Sequence, residues 1–136
     1  MAADCRSLLP DPTLLIRGLR EKEIDHATGK IRKGAFIPRR NGKDDDGLSV
    51  SQPANDSRAS LMVRLSNAEG YFCKMLAVSI RLIEEGPITL EVCPDRTDDP
   101  YHALIIGIPT SKDNCAIAIR LAERLAAIST QYIPPE

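Results

Sequence analysis

The chain reads as one α+β domain: a mixed or antiparallel sheet of about five to six strands, with a C-terminal amphipathic helix packed on it. Three observations predict this. Short apolar segments of strand length are separated by turn dipeptides such as Asn41-Gly42 and Asp46-Gly47, His102 to Ile108 is almost unbroken apolar sequence, and Ile117, Leu121, Leu125 and Ile128 recur at helical spacing. The 136 residues fit a single domain over 1–136, with 1–12 as an N-terminal extension and 130–136 as a C-terminal tail. A chain of this size buries roughly two thirds of its unfolded surface and can hold a core without cross-links.

Taken in order, Thr13 to Leu19 follows the turn-forming Asp11-Pro12 and predicts a first strand that carries Arg17 on an otherwise apolar run. Residues 20–34 are polar, end in Thr28-Gly29 and Gly34, and read as a loop or one weak helical turn. Ala35 to Ile37 resumes an extended pattern that Pro38 ends or places at a sheet edge, because proline cannot donate to a ladder. Leu48 to Ser51 alternates apolar and polar like a half-buried strand, residues 52–59 form a loop, and Ser60 to Leu65 predicts another strand. Between 67 and 86 one long helix competes with a strand over Tyr71 to Ala77 followed by a short helix over Ser79 to Glu85. Gly70 favours the second, since it would weaken the first turn of a long helix. Ile88 to Cys93 alternates as a strand, and residues 94–100 make an acidic loop. His102 to Ile108 predicts a central strand covered on both faces. Thr110 and Asp113 fit a capping box for the last helix, and the tail ends it.

Composition narrows the classes. Apolar residues make up 43% and charged residues 27%, a globular balance, while the net charge of −1 supplies no whole-molecule field for nucleic acid or an anionic membrane. Cys5, Cys73, Cys93 and Cys115 have no CxxC spacing, and neither His26 nor His102 has a cysteine two to four residues away, so neither a zinc site nor any other metal or cofactor is expected. No stretch approaches the apolar length of a membrane span. The expectation is a soluble cytoplasmic protein, with no membrane association and its thiols reduced.

Charge concentrates in one place. Lys30 to Lys43 holds six basic residues, Arg39 and Arg40 among them, and no acidic one, and Asp44, Asp45 and Asp46 follow at once. The basic half could follow a phosphate backbone; the acidic half would repel one and neutralise it. The aspartates do not follow the spacing of a calcium loop, since Ser49 stands where its glycine belongs. Ser49 and Ser51 lie in Gly-Leu-Ser-Val-Ser-Gln, which is not the Gly-x-Ser-x-Gly nucleophile elbow. His102 is a candidate base, ligand-binding group or partner of Asp98 or Asp99.

Leu-Ile-Arg17-Gly-Leu followed by Leu-Ser49-Val-Ser resembles the arginine and serine strands of ADP-ribosyltransferase-like domains. That resemblance implies that Arg17 holds the phosphates of NAD, that Ser49 positions the nicotinamide ribose, and that Glu91 takes the place of the catalytic glutamate. Val50 replaces the central threonine, and no Glu-x-Glu or Gln-x-Glu pair follows the Ser49 strand. More broadly, the Ala-Phe-x-Pro-Arg, Asp-Gly-Leu-Ser-Val and Asp-Pro-Tyr-His-Ala-Leu-Ile-x-Gly segments resemble a family of small bacterial proteins of unassigned function. Because no complete catalytic constellation can be assembled from these residues, the expectation is a non-enzymatic protein that contacts a protein partner or forms a homo-oligomer, as an accessory subunit of a bacterial operon would. NAD-dependent ADP-ribosyl transfer and nucleic-acid binding through residues 30–43 are the alternatives. The binding candidates are Arg17, Arg39, Arg40, Asp44, Asp45, Asp46, Ser49 and His102.

Overall fold

The computed structural model describes residues 2–38, 44, 46–54, 56–65, 69–96, 99–109 and 115–136. A short helix, α1 (Ala2–Leu8), leads into strand β1 (Leu14–Leu19) and a 3-10 turn at Glu21–Glu23. A small hairpin, β2 (Ile24–Asp25) and β3 (Lys30–Ile31), is followed by a second 3-10 turn, Lys33–Phe36, and then by β4 (Leu48–Ser51) and α2 (Arg58–Arg64). Next come β5 (Tyr71–Leu76), α3 (Ala77–Arg81), a hairpin of β6 (Glu84–Glu85) and β7 (Ile88–Thr89), β8 (Glu91–Pro94), β9 (His102–Ile106), α4 (Cys115–Ile128) and β10 (Thr130–Tyr132). The main sheet has six strands in the order β10-β5-β1-β4-β9-β8, and every pairing in it is antiparallel. This is the α+β domain the patterning predicts, with an antiparallel sheet.

Strand periodicity gives the sheet two unequal faces. Leu15 and Leu19 of β1 line up with Met75 and Tyr71 of β5, Leu48 and Val50 of β4 with Ile105 and Ala103 of β9, and Ile105 in turn with Val92 of β8. This face carries the principal core, closed by Leu121, Ala122 and Leu125 of α4, Ile80 of α3 and the buried Ala35 and Phe36. On the other face Ile16, Phe72 and Leu61 of α2 form a smaller cluster.

Several elements depart from expectation for identifiable reasons. Ser60 to Leu65 is not a strand but lies in or just after α2, whose N-cap Ser57 accepts the Ser60 amide at 3.2 Å through its side chain. Ala35 and Phe36 are not extended, because the 3-10 turn folds them into the core, and only Ile37 keeps an extended backbone. The alternating run from Ile88 breaks at Leu90, so β7 pairs with β6 while β8 joins the main sheet. β9 lies fifth in the order, and only one of its faces is covered: Ala103 and Ile105 are buried, while His102, Leu104 and Ile106 are half-exposed. The strand-then-helix reading of 71–85 holds, although the helix is only Ala77–Arg81. Gly70 enters β5 at φ +88°, and a Cβ there would meet the Arg58 guanidinium at 2.7 Å. The proposed cap at Thr110 and Asp113 lies outside the described residues.

Both chain ends belong to the domain. Residues 130–132 add an edge strand, pairing Thr130, Gln131 and Tyr132 with Lys74, Cys73 and Phe72. At the other end α1 packs on β8, Leu9 enters the core, and Cys5 is bonded to Cys93. That bridge corrects the expectation of reduced thiols. Beside it the buried Arg81 pairs with Asp11 at 3.0 Å and with Glu91, and donates to the Cys5 and Val92 carbonyls. Among the described side chains Cys73 is the free thiol, and its burial pushes it up to about 12. No helix is long and apolar enough to cross a membrane among the described residues.

Candidate functional site

The site begins with a short strand pairing. β1 matches β5 along six residues but meets β4 only at Ile16↔Ser51, so the sheet is weakly closed between Arg17 and Ser49. Arg17 spans this seam: its Nε donates to the Ala35 carbonyl at 2.8 Å and its Nη1 to the Ser49 carbonyl at 2.5 Å, with the guanidinium 5.7 Å from the Phe36 ring centre. A planar fork can serve two carbonyls at once, which an ammonium on a flexible stem does less well. Arg17 therefore acts first as a tie between β1, β4 and the Lys33–Phe36 turn.

Ser49 and His102 stand on the opposite side of the sheet from the principal core. Their side chains meet diagonally across β4 and β9, with Ser49 Oγ 3.1 Å from His102 Nε2. The other ring nitrogen, Nδ1, faces Asp95 twice, at 3.2 Å from its carbonyl oxygen and 3.4 Å from Oδ2. Asp95 reaches this position because Pro94 pairs with Ala103, which carries the next residue alongside His102, and the Asp95 amide donates to the His102 carbonyl at 2.9 Å. Asp99 instead pairs with Arg64 at 3.0 Å.

Arg64, from the last turn of α2, also binds Asp56 and Ser51 Oγ and lies 5.4 Å from the Tyr101 ring centre. Desolvation opposes its charge, yet its hydrogen bonds to Asp99 and Asp56 raise its affinity for the proton. Burial pushes the Asp99 carboxyl up, but the Tyr101 amide and the Arg64 guanidinium outweigh it and leave its pKa lowered.

These groups open onto one cleft of about 1160 Å³. Arg17, Gly18, Asp44, Ser49, His102 and Arg64 line it, and Arg20, Lys22, Lys30, Arg32 and Lys33 add a basic wall. Seven arginines and lysines line the cleft against the three carboxylates Glu23, Asp44 and Glu123. The charge balance is therefore positive locally on a chain that is −1 overall.

Four of the sequence candidates, Arg17, Asp44, Ser49 and His102, come together in this cleft. Asp44 is buried rather than solvated, with 5% of its surface exposed. Asp46 is exposed and does not line the cleft, while Arg39, Arg40 and Asp45 lie outside the described residues. Glu91 is bound to Arg81 beside α1 and does not line the cleft, so the three positions of the ADP-ribosyltransferase-like pattern do not converge. Asp95, Arg64 and Lys22 were not singled out by any local motif. Asp95 becomes visible only once the β8–β9 register is known.

Comparison with family models, with curated proteins and with solved structures returned no match. Function is therefore argued from the cleft itself.

Proposed function

We propose that this domain binds a small phosphate-bearing ligand in the cleft at the β1–β4 seam. The observation that carries the reading is the basic wall. Lys22, Lys30, Arg32 and Lys33 line the cleft, and none of them makes an ion pair among the described residues, so their charge is available to a ligand. Arg17 and Arg64 are already committed to carbonyls and carboxylates and serve mainly to hold the walls. The volume of about 1160 Å³ lies somewhat above the range of ordinary ligand sites, which run to about 1,000 Å³, and so leaves room for a nucleotide-sized molecule.

Thermal melting with inorganic phosphate, pyrophosphate or NAD tests this. A probe at ten times its Kd adds about 1.4 kcal/mol, roughly a 4–6 °C rise for a domain of this size. Lys22→Glu with Arg32→Glu should remove most of that rise. No rise with any phosphate probe, or one indifferent to the charge reversal, would overturn the reading. A larger response to NAD than to pyrophosphate would favour the NAD-binding alternative.

A second reading, contact with a protein partner or another copy of the chain, draws support from α2. Val63 there is 82% exposed and Ile133 81% exposed, and the Arg58 amide donates to the Pro135 carbonyl, which brings the C-terminal segment to that helix. Light scattering should then show association that Val63→Glu abolishes; a monomer at all concentrations would remove the self-association form of this reading.

A further inference from the structure

The geometry points to Ser49 as a nucleophile activated by His102, with Asp95 as the group that positions the imidazole, acting on a carboxylic ester whose substituent carries a negative charge. The anionic substituent rests on the phosphate-site reading above; the nucleophile does not. Asp95 presents two oxygen acceptors to Nδ1, its carbonyl at 3.2 Å and Oδ2 at 3.4 Å. Two acceptors facing a bare nitrogen lone pair would repel it, so Nδ1 holds the proton in the neutral ring. Nε2 is then left as an acceptor, and the Ser49 hydroxyl at 3.1 Å must be its donor. That is the orientation a general base needs toward the group it deprotonates, within the reach such pairs show.

The surroundings suit this role. Ser49 is exposed and, like Gly18 of the neighbouring strand, lines the cleft. Asp95 is anchored by its own amide, so its position does not depend on the histidine contact alone. Arg64 reaches Ser51 Oγ, two residues along the same face of β4, and so braces the strand that presents Ser49.

In the step itself Ser49 Oγ bonds to the ester carbonyl carbon while its proton passes to Nε2. The carbon–alkoxy bond then breaks, and the leaving alcohol takes that proton. Water gives a proton to the same nitrogen and bonds to the acyl carbon, the carbon–Oγ bond breaks, and Oγ takes that proton back, which releases the acid and restores the serine. No oxidant, metal or further reactant is needed.

The full chain treated with a fluorophosphonate reports on this directly. Oγ bonds to phosphorus, fluoride leaves, and peptide mass spectrometry locates the adduct. One adduct on the peptide containing Ser49 is expected, absent in Ser49→Ala and formed about 100-fold more slowly in His102→Gln. Asp95→Asn should also slow it, while melting curves show all three variants folded; His102→Asn replaces any that is not. No adduct, an adduct elsewhere, or a rate unchanged by His102→Gln would overturn the assignment. Labelling without a melting response to phosphate would remove the anion site and leave the nucleophile, and the reverse result would do the opposite.

Discussion

Replacing both Cys5 and Cys93 by serine should cost this domain a large share of its stability. The bridge joins positions 88 residues apart, and in the chain-entropy account closing such a loop in the unfolded ensemble is worth about 4.6 kcal/mol at 25 °C. Domains of this size are stable by only about 5–15 kcal/mol, so the loss is severe. With a urea slope of about 1.5–2 kcal/mol/M, the midpoint should fall by roughly 2–3 M. The assay is urea unfolding of the oxidised wild type against the double variant, preceded by alkylation. In the unreduced native protein Cys5 and Cys93 should resist iodoacetamide because they are bonded, and Cys73 should resist because burial raises its thiol to about 12. After reduction without denaturant the first two should react and Cys73 should stay protected. Alkylation of Cys5 and Cys93 before reduction, or a midpoint shift under about 0.5 M, would refute the reasoning.

Two further outcomes follow from the cleft. Arg17→Leu leaves the Ala35 and Ser49 carbonyls without their charged donor and should destabilise by about 1–3 kcal/mol in urea, with Arg17→Lys recovering only part; a loss under about 0.5 kcal/mol would show that water replaces the guanidinium. Asp99 titrates below its unfolded value of about 3.9, so the stability it contributes is present above that pH and is lost as the pH falls through the lower folded value; Arg64→Met should flatten this part of an acid-unfolding curve.

What the sequence shows of this fold depends on how local the cause is. β1, β4 and the helix through Leu121 and Leu125 are set by their own periodicity and were legible. In residues 60–65, Leu61, Val63 and Leu65 alternate like a strand, but Val63 ends up exposed while Leu61 and Leu65, four apart, pack together on Ile16 and Phe72. Both periods were present there, and tertiary packing selected one. Arg17 stood out because a cation on an apolar strand must find partners. Asp95 and the Cys5–Cys93 bond did not stand out, because each depends on a register or a closure that joins distant segments.

The two borders of the sheet limit how this protein can associate. β10 offers only three residues before the chain runs into Pro134 and Pro135, and β8 ends at Pro94 with α1 bonded beside it. Proline supplies no ladder donor, and a short border leaves little to template, so neither side invites a strand from another molecule. Among the described residues, the borders of the main sheet therefore favour contacts made by side chains over strand addition by backbone amides.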